Sequence, residues 1–432
     1  MSFISEKKSF KTTRGEIENL PHVQCVDRDG DLDMFCYDAD MDLDRAGREI
    51  QQTRGLIFDG DDLVVKTFPY SPMYLGVSHK QYIKHYASAT VENGKKAFSI
   101  LPKEQYFFLQ NHWSDCLFYP AQEGTLIRVF HHNGKWYFAT HRRLNADRCF
   151  WGGKTSFQSI FVNGLRKLYQ DEESNDQEIL DELTRRLDPS IVYVFLIKSV
   201  WQTRIVSFPD NKEPILLVGT FSRCGNTFDS NFSDIPNIPS VQRMSFSNIS
   251  DLYRKVEQMP PEFYQGVLVV TPHGECWKIC SYQYLHRYII RGNVESVKYR
   301  YLQLLNYPTF LDTFRQMYPD KTSEFDEYED ILDSLAETFA NDFNTRYNKG
   351  GNNQLFVDQK EHHFLLTVRS FHGYREISAA EMREYIITEM TTQDLNYFVQ
   401  NEIRIFRQLD KLLDSETVEP EVIGENGNLV EV

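Results

Sequence analysis

Along the first two thirds of the chain the apolar residues come in short runs or alternate with polar ones, the pattern that predicts β-strands. TLIRVF (125–130) and KWYFAT (135–140) flank HHNG, whose Asn133-Gly134 pair favours a two-residue hairpin turn. LIF (56–58) and LVVKTF (63–68) flank Asp-Gly-Asp-Asp, a second hairpin signal. IVYVFLIKSV (191–200), PILLVGTF (214–221) and GVLVVT (266–271) are further strands, rich in β-branched and aromatic residues. A helical stretch, DEESNDQEILDELTRRL (171–187), stands among them. To residue 290 the expectation is therefore an α+β domain with antiparallel sheets, joined by hairpins rather than by regular βα alternation.

Beyond that point the period changes. YRYLQLLNYPTFLDTFRQMY (299–318) and the segment from Ser323 to Tyr347 carry Leu, Phe and Tyr at three- and four-residue spacing, which predicts amphipathic helices. Ser378 with Glu381, and Thr391 with Asp394, have the spacing of capping boxes opening two more helices, while NKGGNNQ (348–354) reads as a loop. The chain divides on this reading into an N-terminal extension with strands (1–49), a sheet domain (50–290), a mainly α-helical domain (291–415) and an acidic flexible tail (416–432).

Charge narrows the functional classes. There are 47 basic against 62 acidic residues, net −15, so the chain does not coat nucleic acid generally and any such contact needs a local basic patch. No apolar run reaches the length of a membrane span, and the start, MSFISEKKSFKTTRGE, lacks the apolar stretch of a signal peptide. The expectation is a protein that is not secreted and has no membrane partner. The seven cysteines form no C-x-x-C; Cys276 and Cys280 with His286 lack a fourth ligand, so reduced thiols and no metal site are expected. Aspartates recur through residues 27–44, but the position where a calcium loop needs glycine holds Leu32 from one start and Leu43 from the other.

Candidate chemistry comes from four segments in order. TRGLIFDGDDLVVKTFPY (53–70) is followed by AQEGTLIRVFHHNGKWYFATHRRLNA (121–146), then VYVFLIKSVWQTRIV (192–206), then YQGVLVV (264–270) with CWKICSYQYL (276–285). Together they resemble the nucleotidyltransferase domain of phage- and giant-virus-type RNA ligases, ATP-dependent enzymes with an ATP-grasp-like fold. The resemblance covers residues 50–290. It implies two packed antiparallel sheets with a cleft between them, and a lysine, in a K-x-D-G motif, that attacks the α-phosphate of ATP to form a covalent lysyl-AMP. It also implies carboxylates that hold nucleotide and metal, and two lysines that neutralise phosphate charge. Arg54 matches the arginine that contacts the nucleotide phosphates; Glu123 and Gly124 match the last two residues of the nucleophile motif; Lys278 matches the first of the two lysines.

Four positions depart from that pattern. Ala121 stands at the nucleophile, Leu196 and Gln265 at the two glutamates, and Cys280 at the second lysine. Alanine offers no nucleophile, leucine cannot touch a metal, and glutamine brings no charge. Lys103 has no glycine at the right offset and Lys135 lies in the hairpin turn, so both read as solvated charges. The expectation is a catalytically degenerate, RNA-ligase-like protein with no cofactor (ATP and Mg²⁺ only if it were active). It would act as a structural or interaction component with protein partners in a larger assembly, cytoplasmic or in the particle of a large DNA virus. The alternative is an RNA- or nucleotide-binding protein, or a ligase with residual end sealing. A patch of His141, Arg142, Arg143 and Arg148, near His131 and His132, either meets RNA phosphates or pairs with the chain's excess carboxylates. Tyr119, Trp136, Tyr137 and Trp151 either stack on bases or pack the sheets.

Overall fold

The computed structural model describes residues 13–43, 46–77, 99–150, 154–198, 214–223, 227–229, 234–292, 294, 296–347 and 357–416. Trp151, the Arg204–Val206 end of the third segment, the loop at 348–354 and the tail beyond Glu416 lie outside these residues. Two compact units divide between residues 295 and 296.

The strands of the first unit are β1 (Val23–Asp29), β2 (Leu32–Tyr37), β3 (Arg54–Asp59), β4 (Asp62–Val65), β5 (Met73–Leu75) and β6 (Leu117–Ala121). After them come β7 (Thr125–His132), β8 (Lys135–Ala139), β9 (Ile191–Ile197), β10 (Ile215–Ser222), β11 (Thr227–Asp229), β12 (Gly266–Val270) and β13 (Cys276–Cys280). The helices used below are α1 (Arg48–Gln52), α2 (Lys103–Asn111), α3 (Phe157–Tyr169), α4 (Asp176–Thr184), α5 (Ile249–Glu257) and α6 (Tyr282–Arg291). The strands make three sheets, in the orders β1-β2-β3-β4, β11-β10-β9-β7-β8 and β5-β13-β12-β6. The mixed α+β class with antiparallel sheets is as the hydrophobic pattern predicts.

The Asn133-Gly134 turn joins β7 to β8 with positive φ at both residues, 46° and 79°. In the second hairpin Asp59 faces Asp62 across Gly60. The 171–187 stretch forms a shorter helix, α4, because Asn175 and Glu178 make a capping box that starts it there.

Two features differ from the expected pair of antiparallel sheets. Residues 23–37 pair β2 with β3 and turn the β3–β4 hairpin into a four-stranded sheet of its own. The alternation of 27–44 shows strands, but nothing local names their partner. The second difference is β5, which lies parallel to β13, with the Lys278 amide bonded to the Pro72 carbonyl at 2.8 Å. Three residues after a proline carry too little pattern to reveal that pairing.

Period-two alternation decides which side chains reach the cleft. On β9, Val192, Val194 and Leu196 join a core with Met34, Ile57, Tyr119 and Phe130, drawn from all three sheets. Tyr193, Phe195 and Ile197 point the other way, onto Phe161 and Leu165 of α3 and Leu180 of α4. On the third sheet, Val267, Val269 and Ile279 pack against α2 and α5 through Leu109, Leu252 and Val256. Burying each such aliphatic side chain contributes about 1.5–3 kcal/mol, which fixes these faces against a one-residue slip of register.

The second unit is helical among its described residues: α7 (Val297–Leu304), α8 (Pro308–Met317), α9 (Thr322–Tyr347), α10 (Gln359–His372), α11 (Ala379–Glu389) and α12 (Thr392–Glu416). Tyr301 stacks on Phe325 with centroids 4.7 Å apart, and Phe339 meets Phe398 edge-on at 5.2 Å. Ser378 and Glu381 form the expected capping box, and the Asp394 amide donates to the Thr391 hydroxyl at 3.1 Å.

Candidate functional site

The cleft of the first unit has an inner chamber of about 180 Å³ and a mouth of about 1030 Å³. Arg54, Tyr70, Gly124, Leu126, Gln265 and Lys278 line both. Apart from Arg54, Ser71, Gln122, Gln265 and Lys278, the wall of the inner chamber is apolar. Leu126, Leu196 and Leu216 stand at matched register on β7, β9 and β10, so they form a row across three strands, facing Leu268 of β12. Ala121 ends β6 beside this row and is buried, its carbonyl accepting the Gln265 amide at 2.8 Å. From there the chain turns through Gly124, whose φ of +154° and position beside β9 exclude any side chain. A Cβ would stand 2.2 Å from the Ile197 carbonyl oxygen.

The mouth is cationic. Arg54, Arg142, Arg143, Arg148, His141 and Lys278 line it, and among the described residues Glu123 is the one carboxylate in its wall. Glu123 accepts a hydrogen bond from the buried Tyr284 hydroxyl at 3.1 Å. Arg54 reaches the Pro69 carbonyl at 3.5 Å and the Tyr37 hydroxyl, and Arg142 donates to the Tyr37 carbonyl at 2.9 Å. Among the described residues neither guanidinium has a carboxylate partner, and the Lys278 ammonium has no hydrogen-bond or ion-pair partner. Burial, with Arg54 acting in the same direction, lowers the pKa of Lys278 below the ordinary lysine value. His141 is held neutral, well below the usual histidine range, by burial first and then by Arg54, Arg128 and Arg142. Part of its surface reaches the cavity, but protein surrounds the ring. An excess of cations over carboxylates, turned toward a solvent-filled space, is what holding an anion requires.

Arg128 supports this arrangement from behind, and no motif pointed to it. Its buried guanidinium donates to the carbonyl oxygens of Gly55 and Thr140, tying the residue after Arg54 to the residue before His141. Burial lowers its pKa. The signal was present in TLIRVF: a charged residue at an apolar-face position, between Leu126 and Phe130.

Not every expected site residue comes to the cleft. Cys280 is fully buried beside Lys278 and lines neither chamber, because the strand ends there against β5 and Gly266. Burial pushes its thiol up to about 12, and the Cys276 thiol likewise, so neither offers a thiolate to a metal. His131 and His132 sit at the turn end of the β7–β8 hairpin, away from Arg142; His132 pairs with Asp59 at 2.8 Å and Arg223 at 3.0 Å. Lys135 pairs with Asp29 at 2.9 Å at the surface, and Lys103 is the exposed first residue of α2. Within the basic patch, Arg143 is paired, 3.7 Å from Asp27. The aromatics divide. Tyr137 stacks on Phe130 and Trp136 packs over α3 and α4, whereas Tyr119 lies in the inner chamber's wall with its buried hydroxyl unbonded.

No family model matches this chain. It is 30% identical over 247 residues to an immediate-early protein ICP-46 homolog of Invertebrate iridescent virus 3, an alignment taking in 56% of this chain and 53% of that one. Over 358 residues it is 26% identical to the homolog of Invertebrate iridescent virus 6, with 80% and 72% covered. Against the immediate-early protein ICP-46 of Frog virus 3 the identity is 27% over 201 residues, 44% and 50% covered. The chain thus spans about half the length of two of these three relatives. Among solved structures it is similar to an archaeal ATP-dependent RNA ligase, with TM-score 0.33, 12% identity and 71% of each chain covered. An RNA ligase of Naegleria gruberi gives TM-score 0.28 at 7% identity, covering 42% of this chain and 55% of that one. Structural likeness this slight says nothing of activity.

Proposed function

We propose that this is a viral, RNA-ligase-like protein that no longer attaches a nucleotide to itself and uses the mouth of its cleft to hold the phosphates of an RNA or nucleotide. One observation carries the reading: three cations, Arg54, Arg142 and Lys278, face one open cavity, none of them in a salt bridge among the described residues and with Glu123 the one carboxylate in its wall. The inner chamber supports the loss of chemistry. Where the ligase pattern needs a lysine and a carboxylate, Ala121 and Leu196 sit in a wall whose neighbours, Leu126 and Leu216, are apolar too. A metal would find no carboxylate to hold it there. By its likeness to immediate-early proteins of iridescent viruses, the protein acts in the infected cell.

A second reading, a structural or interaction component of a larger assembly, is favoured by a different observation. Phe371 and Tyr374 lie at the end of α10 more than 60% exposed, an apolar surface of the sort that partners cover. Two measurements test the first reading. Incubation with α-labelled ATP and Mg²⁺, followed by a denaturing gel, is expected to leave both the natural chain and Ala121→Lys unlabelled. Filter binding of single-stranded RNA and of ATP is expected to show salt-sensitive retention, lost when Arg54 and Lys278 are both changed to alanine. A labelled band that one lysine substitution removes, or no retention of either ligand at low salt, overturns it.

A further inference from the structure

The mouth of the cleft carries a large apolar side chain that the phosphate-binding reading does not use. Phe150 is 55% exposed and stands in the wall with Arg142, Arg143 and Arg148. Among the described residues, none of the other exposed large apolar side chains lines the cleft. Single exposed aromatics are ordinary on a protein surface, so exposure alone decides nothing. Two further observations do.

The first is that the backbone beneath the ring is braced. A 3₁₀ turn over Ala146–Arg148 leads into it, and the Asn145 side chain caps that turn by accepting the Asp147 amide at 2.8 Å. The Cys149 amide then donates to the Ala146 carbonyl at 3.2 Å, and the Cys149 carbonyl accepts the Phe157 amide at 2.9 Å. Phe157 opens α3 and is packed against the core below. Among the described residues the Phe150 ring meets no other ring. An open ring on a fixed base loses little freedom when a ligand covers it. The second observation is the charge around it. Arg148, two residues before, is exposed and makes no ion pair among the described residues, and neither do Arg54, Arg142 and Lys278.

We propose that the phosphates held in the mouth belong to a single strand of nucleic acid, one of whose bases stacks on Phe150. This rests on the phosphate-binding reading and names its ligand. Ring and cations on one wall divide the work: the ring covers the face of a base, and the guanidinium groups take the phosphates beside it. A duplex does not fit this division, because its bases already stack on both faces and only backbone and edges are open to a protein. A lone nucleotide does not need the space. The mouth, at about 1030 Å³, is as large as the largest pockets that enclose a small molecule, roughly 1,000 Å³. Every base offers a π-face, so binding tolerates sequence.

The test follows the full chain by fluorescence anisotropy with a labelled oligoadenylate and with the same strand annealed to oligouridylate. Tripolyphosphate, which carries charge without a base, is the unlabelled competitor. Phe150→Ala and Phe150→Leu are each expected to weaken binding of the single strand about tenfold and to leave the duplex unchanged. Phe150→Trp keeps a ring and is expected to bind at least as tightly as the natural chain. No cation is lost, so the slope of log affinity against log salt is expected to stay the same in every variant. The affinity for tripolyphosphate and the midpoint of urea unfolding are expected to stay the same as well. Three results overturn the stacking role and leave the phosphate reading standing: a strand indifferent to Phe150→Ala, Phe150→Leu as tight or Phe150→Trp as weak as its opposite, or tripolyphosphate weakened as much as the strand. Binding of anionic phospholipid vesicles that needs Phe150, with no such need for the strand, assigns the ring to a membrane and also overturns it. No binding of strand or tripolyphosphate by the natural chain at low salt overturns both readings.

Discussion

Arg54 and Lys278 stand on the border between two chambers made from the same strands. On one side three leucines at matched register close a space of about 180 Å³; on the other, arginines open onto about 1030 Å³. The sheets are continuous across the border, so the difference lies in the side chains of one face, not in the backbone. A metal-assisted transfer needs its charges at the floor, next to the nucleophile. Holding a polyanion needs them only at the mouth. On the proposed reading the chain meets the second requirement and not the first.

The largest test of that contrast is to put charge back into the floor. Leu196→Glu inserts a carboxylate in the middle of the leucine row, where its neighbours offer no hydrogen bonds. The expected loss of stability is about 3 kcal/mol or more, read as the midpoint of urea unfolding, with an unchanged slope. Were Arg54 and Lys278 able to reach and pair the new carboxylate, the midpoint would hold, and the floor would count as a polar site merely lacking its acid. That outcome would erase the distinction between the chambers.

The next contrast lies within the mouth. Arg54→Ala with Lys278→Ala removes two unpaired cations and is expected to weaken single-stranded RNA binding by about 3 kcal/mol or more, over a hundredfold, at low salt. Arg142→Ala is expected to cost more than Arg143→Ala, because Arg143 already pairs with Asp27 and gains less from a phosphate. Each lost contact should also flatten the dependence of log affinity on log salt by about one unit. Equal effects at Arg142 and Arg143 would show that the pair with Asp27 does not hold in solution, and would make the patch one undivided surface.

How much of this is legible in the sequence depends on the range of the signals. The hairpins at Gly60 and Asn133-Gly134, the two faces of β9 and the helical period after residue 296 are local patterns, and local pattern predicts them. The pairing of β2 with β3 and of β5 with β13 depends on contacts distant in sequence, which no local pattern encodes. The residues of the cleft were nameable because four motifs came in order. Even so, the motifs did not reveal that Cys280 would be fully buried and line neither chamber. Nor did they reveal Arg128, whose bonds to Gly55 and Thr140 bridge segments far apart in the chain.

The smallest expected effect concerns His141, and it distinguishes an anion site from a merely cationic surface. In the free protein the ring stays neutral, because burial and the charges of Arg54, Arg128 and Arg142 all oppose its proton. The unfolded chain takes up that proton below the ordinary histidine value near 6.5 and the folded chain does not, so His141 makes the fold less stable as pH falls through that range. An RNA phosphate in the mouth offsets the arginines and raises the pKa of the bound state. Binding then takes up a fraction of a proton, and affinity must rise as pH falls. A phosphodiester does not itself titrate there, so the change belongs to the protein. From about pH 7.5 to about pH 5.5, affinity for an oligouridylate is expected to increase a few-fold in the natural chain and to stay level in His141→Gln. A flat profile in the natural chain would place the phosphate away from His141, out toward Arg148. An equal slope in both proteins would assign the proton to another group and remove His141 from the site.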